Sequence, residues 1–248
     1  MLDAPTADAA ADAFLAHARA HHADWPYPET AIRTYASNYA EAGDRISTDV
    51  ERLGEIGSIM ILPAMDRVDD WLSFFDREAF AGNPGWASCY CLEPNVPTTP
   101  EDPERPWRTS RAMTADRLRC GATYGYLAYA GGTAAGWVNA SKRADSGMFK
   151  DIDPNGPNAQ SVIGISCFVI APPFRRHGVA SALLDRVIAD APSRGAAWIE
   201  AYPHIKPEES DGGHFRGVRA MYDSRGFKPV EEKKNYTVMR LPAGAKNA

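Results

Sequence analysis

Residues 162–203 read VIGISCFVIAPPFRRHGVASALLDRVIADAPSRGAAWIEAYP, and this stretch decides the fold. Val162–Ile170 is an almost unbroken apolar run, which predicts a strand buried on both faces. Pro172 ends that strand because proline donates no ladder hydrogen bond. The apolar spacing that follows predicts a helix closed by Gly195, and Ala197–Tyr202 is predicted to be the next strand.

A basic turn, Arg175-Arg176-His177, joins the first of these strands to the helix. Backbone N–H groups at a helix start are unpaired, and the helix dipole adds partial positive charge there. Gly178 and Ala180 leave room for an anion to approach the backbone. Together these features suit a pyrophosphate group. The other phosphate-binding patterns, GxxxxGK[ST] and GxGxxG after a strand, do not occur in the sequence.

Outward from this stretch, helices and strands alternate. Ile59–Leu62 is predicted to be a strand, and Asp66–Phe80 places apolar residues on one face of a helix. Met113–Leu118 predicts a short helix. Gly131 begins a two-glycine turn between two strands of a hairpin, and a final strand is predicted at Tyr236–Leu241. The pattern is typical of a mixed α/β domain.

The first 58 residues differ in charge from the rest. They hold ten acidic and four basic residues, although the whole chain is only −5. Short amphipathic stretches predict a small helical appendage at 1–58, followed by the main domain at 59–248. The appendage carries too little apolar surface to fold alone. We expect it to pack on the main domain or on a second copy, which makes a homodimer one arrangement it allows.

Composition excludes several classes of protein. A net charge of −5 argues against a nucleic-acid-binding protein, which would carry a basic stripe. No apolar run approaches the length of a membrane span, and no secretory signal is visible, so we expect a cytoplasmic protein. The cysteines are too few and too irregularly spaced for a disulfide framework or a zinc site, and we predict no metal; they are Cys89, Cys91, Cys120 and Cys167.

Two segments resemble the GNAT superfamily of acetyl-CoA-dependent N-acetyltransferases. Arg175-x-x-Gly178-x-Ala180 after a buried strand is similar to the acetyl-CoA loop of that superfamily. Residues 221–227, MYDSRGF, are similar to its hydrophobic-Tyr-x-x-x-Gly-Phe segment at the end of a helix. The order of elements also matches, and the resemblance covers about residues 59–242. It implies a central, mostly antiparallel sheet flanked by helices.

The resemblance implies acetyl-CoA as co-substrate and assigns the residues that bind it. The backbone of the buried strand would contact the pantetheine arm, and one N–H there would polarise the thioester carbonyl as an oxyanion hole does. The helix start would hold the pyrophosphate. The cofactor-binding residues predicted in this way are Phe168, Val169, Ile170, Arg175, Arg176, His177, Gly178, Val179, Ala180 and Ser181.

For catalysis, the matched motif implies that Tyr222 protonates the leaving thiolate, the alternative being a packed tyrosine with a wet hydroxyl. The sequence departs from the superfamily pattern in two respects that concern the other catalytic and cofactor-binding residues. The superfamily often has Asn where this chain has Phe215, and Val162–Ile170 contains no acidic residue to serve as base. Glu200 and His204 are the candidate bases, although Glu200 is equally suited to be the buried partner of an arginine.

The segment Trp86-Ala-Ser-Cys89-Tyr90-Cys91 resembles the first-helix loop of a bacterial subgroup with a W-x-x-C-Y-C pattern, which walls the acceptor pocket. Its two thiols are interpreted as packed side chains. An acidic loop farther on is suited to attract a cationic amine. The substrate-binding residues predicted here are Trp86, Tyr90, Glu208, Glu209 and Asp211.

We therefore predict direct transfer of an acetyl group from acetyl-CoA to a primary amine in a ternary complex. The aromatic walls and acidic rim favour a small cationic molecule, with an aminoglycoside-type antibiotic as the specific candidate. Two alternatives stay open. The acceptor is a peptide or protein amine, or the protein binds acyl-CoA without turnover as a sensor.

Overall fold

A computed structural model describes most of the chain from Ser58 onward. The residues described are 58–81, 86–100, 105–153, 155–206 and 211–244, besides the single residue Ala16, and the side chains of residues 211 and 212 are not included. The helical appendage predicted for residues 1–58 lies outside this part of the chain, so the proposed division at residue 58 stays a prediction.

The centre of the fold is a seven-stranded sheet with the order β1-β2-β3-β4-β5-β7-β6. Its strands are β1 (Ile59–Pro63), β2 (Gly125–Ala130), β3 (Thr133–Lys142), β4 (Val162–Ile170), β5 (Trp198–Ala201), β6 (Lys228–Glu232) and β7 (Thr237–Pro242). Each neighbouring pair is antiparallel except β4 and β5, which run parallel. Helices cover the sheet, which confirms the mixed α/β class predicted from the sequence.

Helices pack on both faces of the sheet. They are α1 (Val68–Arg77), α2 (Trp107–Arg119), α3 (Val179–Asp190) and α4 (Arg219–Asp223). Trp137 of β3 contacts Trp71 of α1, with ring centroids 5.9 Å apart. Its neighbour Gly136 faces α3, where an added Cβ would lie only 3.0 Å from Val179 Cγ1. Because successive strand residues point to opposite faces, α1 and α3 lie on opposite sides of β3.

Strand β4 pairs with β5 over only part of its length, and this positions the site. The parallel register runs from Val162–Trp198 to Ile165–Ala201. Beyond that point β4 continues for five more residues, while β5 ends at Ala201. The second half of β4 therefore has an edge on the β5 side that another segment must cover.

The structure agrees with most predicted elements. Val162–Ile170 forms the strand with the predicted bounds, because a strand buried on both faces is almost entirely apolar, with Ser166 as its polar exception. Helix α2 begins at Trp107, six residues before the predicted start. Strand β6 (Lys228–Glu232) was not predicted, since it is a largely exposed edge strand with charged residues. Within the described residues, no helix is long and apolar enough to cross a membrane.

Candidate active site

The start of α3 has the geometry that an anion needs. Gly178 is its N-cap residue, with φ +81°, and no side chain caps the helix. A Cβ added at Gly178 would meet no atom within 4 Å, so the space in front of the first turn is open. Left-handed backbone with an open approach favours glycine here. The first-turn N–H groups, which form the positive end of the helix dipole, therefore face open space.

The basic residues before α3 divide into one that shapes the turn and two that face solvent. Arg175 donates from Nε to the Ile170 carbonyl at 3.0 Å, which ties the turn to the end of β4. Arg176 and His177 are exposed, and Arg176 has φ +65°. His177 Nδ1 lies 2.6 Å from the Arg175 carbonyl oxygen. Behind them, Val179 is buried, and the neighbouring first-turn residues Ala180 and Ser181 are half-buried.

The chain itself covers the open edge of β4. The Phe168 N–H donates to the Phe215 carbonyl at 2.6 Å, at the position where an oxyanion-hole donor was predicted. The Phe215 ring packs edge-on against Trp86 and His204, with centroids 5.4 Å and 5.3 Å away. Residue 215 was noted in the sequence only as a departure from a family pattern. The Phe215 carbonyl therefore accepts the hydrogen bond that the Phe168 N–H would have to donate to a thioester carbonyl.

Tyr222 lies beside the same segment. Its ring is fully buried, and its O–H donates to the Arg216 carbonyl at 2.7 Å. Gly217, with φ +78°, lies against it, since an added Cβ would come within 2.6 Å of the Tyr222 hydroxyl. Burial raises the pKa of Tyr222 above its ordinary value, and the nearby Cys167 thiol adds to the shift. The phenol therefore stays protonated and acts as a hydrogen-bond donor.

Glu200 is the buried partner of arginine side chains, which is the alternative that the sequence allowed. This corrects its assignment as the base. It is completely buried on β5 and accepts hydrogen bonds from Arg143 at 3.0 Å and Arg240 at 2.7 Å. The Tyr202 hydroxyl donates to it at 3.0 Å. A carboxylate held by two guanidinium groups is stabilised in its charged form and has no open face toward a substrate. His204 stays a candidate base at the end of the same strand.

A group of thiols lies on the other side of the site. Cys167 immediately precedes Phe168 on β4 and pairs across the sheet with Asn139 of β3. The Asn139 amide also donates to the Cys91 sulfur at 3.6 Å. The loop that contains Cys91 is therefore brought against β3, next to the strand that carries Cys167. Of the two thiols interpreted as packed side chains, Cys91 is buried and Cys89 is half-buried.

The residues predicted to bind the acceptor amine do not all lie in one place in the structure. Trp86 is half-buried beside Phe215, but Tyr90 is fully buried and its hydroxyl donates to Asp76 at 2.5 Å. Tyr90 therefore supports the loop from inside the core and presents no surface to an acceptor, contrary to its predicted role. Glu208 and Glu209 lie outside the described residues, and so does the side chain of Asp211.

An open depression of about 560 Å³ lies away from this site, between α1 and α2. It is lined by Asp76, Arg77, Trp107, Arg108, Arg111 and Ala112. None of the residues predicted to bind cofactor or acceptor lines it. Within the described residues, no three His, Cys, Asp or Glu side chains are grouped to hold a metal ion.

One family model matches part of the chain. Residues 86–207 match the family model described as the acetyltransferase (GNAT) family. The matched part contains β4, the basic turn and α3. No curated protein matches the chain.

Several solved structures are similar to the chain at low identity. A putative GNAT-family acetyltransferase from Desulfovibrio desulfuricans is 15% identical, covering 75% of this chain and 100% of its own, with a TM-score of 0.47. The putative acetyltransferase yncA from Salmonella typhimurium, solved with acetyl-CoA, is 14% identical, covering 77% and 98%, with a TM-score of 0.46. PaiA N-acetyltransferase from Thermoplasma acidophilum, solved with coenzyme A, is 12% identical, covering 75% and 99%, with a TM-score of 0.47.

Proposed function

We propose that this protein, whose residues 86–207 match the GNAT acetyltransferase family model, transfers an acetyl group from acetyl-CoA to a primary amine. The observation that carries the proposal is the course of β4. This strand leaves β5 halfway along and leads through a basic turn to the uncapped start of α3. One element thus offers an edge for the pantetheine arm and a helix N-terminus for the pyrophosphate.

Transfer requires that the segment around Phe215 move. The Phe168 N–H now binds the Phe215 carbonyl, and a bound thioester would replace that carbonyl with its own. The exchange conserves one hydrogen bond, so its cost is small compared with the gain from binding the cofactor. With the thioester in place, the Phe168 N–H stabilises the oxyanion of the tetrahedral intermediate, and Tyr222 donates to the departing sulfur.

For the acceptor, we propose a small cationic amine, with an aminoglycoside-type antibiotic as the specific candidate. Support comes from the sequence, in which Glu208, Glu209 and Asp211 form an acidic segment between β5 and α4. Carboxylates beside the site would concentrate a polycation there. We place the reaction in the cytoplasm, where acetyl-CoA is available and the four cysteines stay reduced, as they are in the structure.

The test is release of the CoA thiol from acetyl-CoA in the presence of aminoglycosides, polyamines, amino acids or short peptides. We expect release that depends on an amine, together with a mass gain of one acetyl group on that amine. Turnover on peptides alone would move the function to protein modification. Binding of CoA with no turnover on any amine would leave the sensor as the better explanation.

Two glycines, one at the start of α3 and one in the turn that follows it, supply a matched pair for the cofactor site. Gly178 and Gly195 both have a left-handed φ, and an added Cβ at either meets no atom within 4 Å. Alanine therefore imposes the same backbone strain at both positions. We expect Gly178→Ala to weaken CoA binding roughly tenfold, or ~1.4 kcal/mol. Gly195→Ala should leave it unchanged. Equal effects of the two substitutions would contradict this placement of the pyrophosphate.

A further inference from the structure

We propose that the Arg216 guanidinium binds a carboxylate of the acceptor, so that the amine acetylated by this protein is a small diamino acid. This inference rests on the proposed function and narrows its acceptor. It keeps the cationic character proposed above and adds a carboxylate. An aminoglycoside has no carboxylate, so the inference favours a different acceptor from the specific candidate drawn from the sequence.

Three aromatic rings surround the guanidinium of Arg216. Its central carbon lies 5.2 Å from the ring centroid of Phe149, 5.2 Å from that of Tyr236 and 5.4 Å from that of Phe215. Aromatic faces attract a cation but do not accept its N–H hydrogen bonds as a carboxylate does. The rings therefore hold the charge in place without neutralising it.

Within the described residues, the guanidinium has no strong hydrogen-bond acceptor. Its Nη2 donates to the Met148 sulfur at 3.3 Å, and a thioether is a weak acceptor. Its Nε is buried and has no hydrogen-bond partner. Met148 is itself exposed, so its side chain is free to give way to a better acceptor. A carboxylate is that acceptor, because its two oxygens match the planar fork of a guanidinium.

No acidic side chain of the described residues forms an ion pair with Arg216. Burial lowers the pKa of Arg216, and the groups that oppose this change are Tyr236, Cys167 and Tyr202. Burial raises the pKa of both tyrosines, and a thiol of ordinary pKa is also protonated at neutral pH. The guanidinium itself stays charged at neutral pH. It is thus a cation that lacks a counter-ion in the part of the chain that the structure describes.

Other arginines inside the fold are compensated by the protein. Arg143 and Arg240 are paired with carboxylates. Arg194 also packs on an aromatic ring and forms no ion pair with a described residue, but it donates to the Ala140 carbonyl at 3.0 Å. Arg216 has neither kind of contact. A half-buried charge beside a proposed active site that the fold leaves uncompensated is suited to be completed by a ligand.

The position of Arg216 fits the reaction. Its carbonyl accepts from the Tyr222 hydroxyl at 2.7 Å, and the preceding carbonyl, of Phe215, accepts from the Phe168 N–H at 2.6 Å. The proposed donors to the departing sulfur and to the oxyanion therefore contact two consecutive residues, and the guanidinium lies one arginine side chain away from them. An acceptor whose carboxylate pairs with Arg216 is held with its amine close to the acetyl group.

The anion bound by Arg216 is distinct from the pyrophosphate. The proposed pyrophosphate site follows Ile170, at the end of β4. Phe149, which packs on the guanidinium, lies in the loop after β3, and the last residue of β3, Lys142, pairs with Ile163 near the start of β4. We therefore assign the cofactor and the acceptor carboxylate to different parts of β4.

The charges around the site define the class of acceptor. Arg216 suits a carboxylate, and the acidic segment that contains Glu208, Glu209 and Asp211 suits a second amino group. Diamino acids such as ornithine and lysine carry both, and their aliphatic chains are about as long as that of arginine. In the transfer, the neutral amine forms a bond to the acetyl carbon and the C–S bond to CoA breaks. The sulfur leaves with the electron pair and is protonated, and the amine loses a proton to solvent.

The test compares acceptors that differ only in their carboxylate. Ornithine and lysine are each paired with their own carboxamide, and release of the CoA thiol is measured together with the mass of the acetylated product. We expect kcat/KM for the better diamino acid to exceed that for its carboxamide at least about tenfold, mainly through KM. A carboxamide or an aminoglycoside that is acetylated as well as the diamino acids would overturn the carboxylate site and leave the proposed function standing.

Two substitutions separate recognition of the carboxylate from a structural role. Arg216→Gln removes the guanidinium at the site, and Arg194→Gln removes one that packs on Tyr124 instead. We expect Arg216→Gln to abolish the preference for carboxylate over carboxamide while its affinity for CoA stays within about twofold. Arg194→Gln should retain the preference. If Arg216→Gln lowers kcat/KM for both acceptors by the same factor, its role is structural and the proposal is wrong.

The comparison of carboxylate with carboxamide is made on the unsubstituted protein, so it decides the question even if Arg216→Gln fails to fold. Arg216→Lys, which keeps the charge but not the fork, should retain part of the preference. If acetyl-CoA does not bind, or if no amine of any class is acetylated, the proposed function itself falls and this inference falls with it.

Discussion

Two buried polar contacts on the central sheet differ in how their charge is balanced. Around Glu200, a carboxylate lies between two guanidinium groups, Arg143 and Arg240. On β4, the Phe168 N–H donates to the Phe215 carbonyl, which is a neutral hydrogen bond. A buried ion pair costs several kcal/mol to break, whereas a neutral hydrogen bond is exchanged at small cost for an equivalent one to a ligand. We therefore assign stability to the first contact and ligand binding to the second.

The largest expected effect is on stability, at Glu200. Glu200→Gln leaves two arginines without their buried partner, and we expect the free energy of unfolding to fall by about 3–5 kcal/mol in urea titration. Asp116→Asn is the control, because its pair with Arg119 is exposed and worth under about 1 kcal/mol. Loss of turnover in a protein that stays as stable as the original would instead return Glu200 to the role of base.

The next effect is on turnover, at Tyr222. Tyr222→Phe removes only the hydroxyl that donates to Arg216 and, in the proposed reaction, to the departing sulfur. We expect about a tenfold fall in kcat measured by thiol release, with little change in CoA affinity. Unchanged turnover would show that the departing thiolate needs no donor from the protein.

The smallest effect is the titration of two neighbouring thiols. The pKa of Cys91 is lowered in the fold, so its thiolate stabilises the protein above the ordinary thiol pKa, and this stability is lost as pH falls through the lowered value. Burial raises the pKa of Cys89 to about 12. We expect the thiolate absorbance lost in Cys91→Ser to titrate at lower pH than the absorbance lost in Cys89→Ser. Identical titrations would contradict the difference in surroundings between the two thiols.

The sequence predicted the parts of the fold that depend on local pattern. Val162–Ile170 has its predicted bounds because the almost unbroken apolar run marks where the buried strand begins and ends. Gly178 lies at the start of a helix, as its position after the basic turn indicates. Strand β6 was missed because an exposed edge strand carries no apolar alternation. Periodicity therefore identifies buried elements and gives little signal for exposed ones.

The site was predicted less completely, because its decisive contacts join distant segments. Arg143, Glu200 and Arg240 are brought together by the order of β3, β5 and β7, which no local pattern reveals. The contact of Cys91 with Asn139 depends on a loop with left-handed backbone at non-glycine residues, where the sequence gives no signal. Phe215 was identified as unusual, but its hydrogen bond to Phe168 was not foreseen.

The most direct measurement is a crystal structure of the full chain with CoA bound. The pyrophosphate should lie at residues 175–180, and the Phe168 N–H should be released from the Phe215 carbonyl and should bind the cofactor instead. A pyrophosphate bound elsewhere, or CoA bound with the Phe168–Phe215 hydrogen bond intact, would contradict the assignment of this site.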